Sequence, residues 1–78
     1  MPTVLEIDGF RFFFWSNEND EPPHIHVEKG RGVAKWWIDP PREAWSKGLK
    51  AGEKRKVARL VEEHAGLFRE AWDAFFGE

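Results

Sequence analysis

The apolar residues of this chain change their period once, and that change limits what it can fold into. Through about Asp39 they recur at every second position, as in half-buried strands. From about Ala51 they recur at spacings of three and four, as on one side of a helix. Thr3–Ile7 alternates, Asp8-Gly9 is the dipeptide of a two-residue hairpin turn, and the chain returns through residues 10–16. Such a turn sets Ile7 against Phe10, Glu6 against Arg11, Leu5 against Phe12 and Val4 against Phe13. One face then holds Leu5, Ile7, Phe10, Phe12 and Phe14. The other holds Val4, Glu6, Arg11, Phe13 and Trp15. The first is the expected core face.

A polar loop over residues 17–23 runs into the stretch Glu21-Pro22-Pro23-His24-Ile25-His26-Val27. Its prolines cannot enter a sheet interior and so close the loop. Residues 24–28 read as a third strand, Lys29-Gly30-Arg31-Gly32 as a turn and residues 33–39 as a fourth strand. Pairing Glu28 with Val33, His26 with Lys35 and His24 with Trp37 puts Ile25, Val27, Ala34, Trp36 and Ile38 on the core side. His24, His26, Glu28, Lys35, Trp37 and Asp39 fall on the opposite side. A slip of one residue would bury both histidines and the lysine, so the pattern selects the register.

Pro40-Pro41 ends the fourth strand. Residues 43–46 read as a short edge strand or a single helical turn. A long helix over residues 51–76 follows. Its stripe runs through Val57, Leu60, Val61, His64, Leu67, Phe68, Ala71, Trp72 and Phe75, with Gly66 off the stripe as a soft point and Gly77 as its end. The expected fold is one α+β domain: an antiparallel meander of four to five strands with a long C-terminal helix packed on one face.

Seventy-eight residues leave little room for a core, and the seven Phe and five Trp compensate, since each can bury roughly 150–250 Å². The absence of Cys excludes disulfides and thiolate metal sites. No basic, then apolar, leader opens the chain, and no apolar run approaches the roughly 20 residues of a membrane span. A cytoplasmic protein with no membrane contact is expected. The net charge of −2 conceals a split. Residues 29–59 carry ten basic residues against three acids, and the remainder two against eleven. A split of this kind favours oriented binding to a charged partner.

His24 and His26 share one strand face, so they are candidates for acid–base chemistry near neutral pH, with Lys35 beside them to stabilise a phosphorane in a small ribonuclease. With Glu28 they are also candidate metal ligands, although a His-x-His pair needs further ligands that the sequence does not supply at the right spacing; no metal or other cofactor is expected. The plainer alternative packs the imidazoles against Trp37 and the preceding loop. Phe13, Trp15 and Trp37 on the same face suit a protein contact or base stacking, unless residues 42–49 wrap over them as a second small core. Lys50, Lys54, Arg55 and Arg59 crowd the helix start, where cations oppose the helix dipole by about 0.3–1 kcal/mol each, which makes an acidic partner or a nucleic-acid backbone plausible.

Pro2-Thr3-Val4, Ile7-Asp8-Gly9-Phe10-Arg11-Phe12, the proline–histidine stretch, Lys56–His64, Glu70-Ala71-Trp72 and Phe75-Phe76-Gly77 together resemble a family of small bacterial domains of unknown function, numbered four-one-six-zero. The resemblance spans nearly the whole chain. It implies a component of a two-gene operon, toxin–antitoxin-like or regulatory, paired with a second small protein encoded nearby. A homodimer is a further candidate assembly. The resemblance carries no catalytic residue, and Lys50 stands where a Ser-like helix cap is expected. The leading expectation is a non-enzymatic binding module using Phe13, Trp15, Trp37, His24 and His26 for the partner. The basic helix start would meet nucleic acid, and the ribonuclease and the His-x-His metal site are the alternatives.

Overall fold

The computed structural model describes residues 3–15 and 20–77. Five strands, β1 (Thr3–Ile7), β2 (Phe10–Phe13), β3 (His24–Lys29), β4 (Gly32–Ile38) and β5 (Pro41–Lys47), pair antiparallel in sequence order. Two helices follow, α1 (Ala51–Glu63) and α2 (Ala65–Phe76). The fold is α+β, a meander with its C-terminal helical segment packed on the sheet. The expected extension of the second strand to Ser16 and the loop residues 17–19 lie outside the described residues. Among the described residues no helix is long and apolar enough to cross a membrane.

Asp8 and Gly9 both have positive φ, 55° and 85°, so the turn follows the twist of its strands and sets Ile7, Glu6 and Leu5 against Phe10, Arg11 and Phe12. The register then departs from simple pairing. Thr3, not Val4, faces Phe13, because the strand bulges between Thr3 and Leu5. A bulge adds a residue and reverses parity. Val4 therefore packs toward the core, and the Thr3 hydroxyl accepts a hydrogen bond from Arg11 Nε at 3.0 Å. Between β3 and β4, His24 faces Trp37, His26 faces Lys35 and Glu28 faces Val33, as burial of Ile25 and Val27 demands. Gly32 is buried where a Cβ would approach the Gly48 carbonyl oxygen to 2.9 Å.

β5 is longer than the four residues expected, and it too is bulged, with Lys35 facing Trp45 but Trp36 facing Glu43. The extra residue, Ala44, turns Trp45 and Arg42 to the side of Lys35 and Trp37. Glu43 turns instead toward α1, where its carboxylate lies 3.8 Å from Lys54 Nζ.

The core joins Phe10, Phe12, Phe14, Ile25, Val27, Ala34, Trp36 and Ile38 to Val57, Leu60 and Val61 of α1 and to Phe68 and Trp72 of α2. Lys50 caps α1 with extended backbone, and its N–H donates to the Glu53 carboxylate at 2.8 Å. An ammonium group cannot accept a helix N–H, so only this half of a capping box forms. The helix expected to run unbroken is interrupted at His64 (φ −113°, ψ 18°). There the Leu60 carbonyl accepts both the backbone N–H, at 3.0 Å, and the imidazole Nδ1–H, at 2.9 Å. The side chain thus adds a second local bond to the same carbonyl at the residue where the backbone leaves helical geometry. Gly66 lies two residues further on, and Gly77 ends α2.

Candidate functional site

The sheet face opposite α1 is an aromatic cluster centred on β3. The His26 ring lies 5.7 Å from Phe13, 5.9 Å from Trp15, 6.5 Å from Trp45 and 5.3 Å from His24. Trp37 lies 5.8 Å from His24, and the Lys35 ammonium sits 4.8 Å from the Trp37 ring centroid. Strand parity brings these side chains together, as the sequence requires.

Their exposure differs from expectation. His24 and His26 are only 1% and 5% exposed, and Phe13 is buried. Trp15 and Trp45, at 45% and 46%, flank His26. An imidazole is small beside an indole, so wherever indoles flank it on a twisted sheet it becomes the floor of the cluster. The expected clearance of both imidazoles from the helices also fails at one end. The His24 ring lies 5.0 Å from Trp72 of α2, which itself packs against Phe14 at 5.6 Å. His24 starts its strand, and α2 crosses the sheet at that end.

Polar groups around the cluster are engaged. His24 Nδ1 lies 2.9 Å from the Pro22 carbonyl oxygen, which can only accept, so Nδ1 carries the proton. Glu21 Oε1 is 3.8 Å from the same nitrogen and is paired with Lys35, whose side chain is 12% exposed. Glu28, the candidate third metal ligand, instead accepts from Arg11 at 3.1 Å. The Arg11 guanidinium covers the Phe13 ring at 4.4 Å. Among the described residues no three His, Asp or Glu side chains gather as a metal-binding group.

The structure separates the candidate binding residues into two regions. Phe13, Trp15, Trp37, His24 and His26 form the outer face. Lys50, Lys54, Arg55 and Arg59 lie on α1 or at its cap. Lys54 is near Glu43, and Arg59 Nε lies 3.6 Å from Glu63. Sequence reasoning missed Trp45 and Glu21 as members of the outer face. Trp45 was hidden by the Ala44 bulge, which erases alternation along β5. Glu21 carried a signal, since it sits three residues before His24 in the proline stretch. A second apolar surface, lined by Val4, Phe14, Leu67, Ala71 and Phe75, has Thr3 as its polar neighbour and, among the described residues, offers no reactive group.

No curated protein and no solved structure matches the chain. A model of one family, described as a domain of unknown function (DUF4160), matches residues 9–73, a span that contains β2 to β5, both histidines of the outer face and nearly all of both helices. The chain belongs to that family.

Proposed function

We propose that this domain is a non-enzymatic binding module of a two-gene, toxin–antitoxin-like pair, and that it holds a small protein encoded beside it through the outer sheet face. The observation that carries the reading is the pair of nearly half-exposed indoles, Trp15 and Trp45, flanking a buried His26. Tryptophan is the side chain most often found to dominate a protein interface, and large apolar groups left open on a small domain mark contact surfaces. Here the indoles rest on a packed floor, so little freedom is lost when a partner covers them. We place the action of the pair in the cytoplasm, where a chain without cysteine lacks nothing that a disulfide would supply.

The ribonuclease alternative asks His24, His26 and Lys35 to reach an RNA phosphate. Two buried imidazoles, and an ammonium held by Glu21 over Trp37, are poorly disposed for that. The test is to co-express the neighbouring gene product, measure its affinity by calorimetry, and repeat with Trp15→Ala/Trp45→Ala. Two exposed interface tryptophans predict a loss of about 30-fold or more, since hot-spot residues contribute at least about 2 kcal/mol. Full affinity in that variant would reject the surface. RNA cleavage by the wild type that disappears in His24→Ala/His26→Ala would replace the whole reading with the enzymatic one.

A further inference from the structure

We infer that the end of the molecule built by the β3–β4 turn, the β5–α1 junction and the first turns of α1 binds the phosphodiester backbone of nucleic acid. The inference does not rest on the protein-binding role proposed for the outer face. Two segments distant in sequence meet here, the β3–β4 turn and the continuous stretch from the end of β5 into α1. A Cβ on Gly48 would lie 3.2 Å from the Arg31 carbonyl oxygen, so the turn carrying Lys29 and Arg31 touches the junction carrying Lys47 and Lys50. Lys54, Arg55 and Lys56 follow within two turns of α1.

What distinguishes this end from an ordinary mixed surface is the state of its acids. Asp8 is taken by Lys56 at 3.2 Å, Glu43 faces Lys54 at 3.8 Å, and Glu53 is held at the helix start by the Lys50 N–H. Among the described residues, Lys29, Arg31, Lys47, the Lys50 ammonium and Arg55 make no ion pair. The positive end of the α1 dipole points the same way, so the like charges raise one another's energy and a polyanion relieves all of them together. Glu28, next to Lys29, is held by Arg11, and Asp39 and Asp73 share Arg69 at the opposite end of β4, so the domain presents this end to an anion with a defined orientation. A nucleic-acid backbone matches several cations spread over this end better than a single small anion does, because it offers repeated charges and releases counterions at each contact.

The experiment is fluorescence anisotropy of the whole protein with labelled 20-nucleotide single-stranded RNA and 20-base-pair DNA, from 25 to 300 mM KCl, with poly-glutamate as competitor. Binding of either nucleic acid is expected, weakening with salt by about 0.9 log unit per log unit for each duplex phosphate neutralised and about 0.7 for the single strand. The preference between the two identifies the source. Lys47→Gln/Lys50→Gln/Arg55→Gln should lower that slope by up to about 3, and Lys47→Glu/Lys50→Glu/Arg55→Glu should abolish binding. Trp15→Ala/Trp45→Ala should leave it unchanged, which separates this site from the outer face. Thermal melts establish that each variant is folded. No binding by the wild type at 25 mM KCl, binding indifferent to salt, or equal competition by poly-glutamate would each overturn the inference, the last in favour of an acidic protein.

Discussion

The imidazole of His24 and the indole of Trp72 meet at 5.0 Å, joining the last helix to a cluster on the far side of the sheet. Trp72 also packs on Phe14 at 5.6 Å and Phe76 at 4.1 Å. One side chain thus serves both the core and the base of the outer face.

Trp72→Ala should therefore cost about 3–5 kcal/mol, the range for deleting a large buried aromatic. Trp72→Phe should cost less. Urea unfolding checks both, and the His24 ring resonances in the folded phenylalanine variant should shift as the indole ring current is lost. An unmoved His24 spectrum would contradict the coupling.

Gly32→Ala should destabilise by about 1–3 kcal/mol through overpacking. The added methyl would press on the Gly48 carbonyl oxygen at 2.9 Å as well as on the Leu49 side chain, and the backbone oxygen is the harder of the two to move. A urea midpoint equal to wild type would show that the β5–α1 junction yields.

Lys50→Asp should raise stability by about 1 kcal/mol, because an aspartate can accept a helix N–H and suits the positive end of the dipole. For a domain of this size that corresponds to a melting rise of about 4–8 °C. The same change should weaken nucleic-acid binding. Stability gained and binding lost in one substitution would indicate that Lys50 is kept for contact at the expense of the fold.

Gly66→Ala should also stabilise, by about 0.5–1 kcal/mol. An added Cβ meets nothing within 4 Å, and the residue already lies in helix. A thermal melt is sufficient. A loss of stability would mean that the junction at His64 depends on freedom at this glycine.

Much of the sheet was legible because alternation and burial constrain each other. Once Ile25 and Val27 must be inside, Trp37 and Lys35 are bound to face His24 and His26. Asp8-Gly9 likewise announced its turn. The two bulges left no such mark. Neither Val4 nor Ala44 is a residue type that signals an irregular strand, and the second bulge made the alternation of β5 look like none, which hid Trp45 from the candidate site. The break at His64 was equally silent, since the histidine falls on the apolar stripe at helical spacing and the break leaves that period unchanged. Burial of the histidines depends on how far neighbouring indoles lean over them. Strand parity gives the side on which a residue lies but not its depth.

The two interruptions of strand pairing fall on β1 and β5, the outermost strands of the sheet. A kinked border presents its free amide and carbonyl groups out of line, so another chain finds no straight template to extend. This domain is thereby guarded at both margins against growth into a continuous ribbon. Lasting associations are left to side-chain surfaces, where specificity can be written residue by residue.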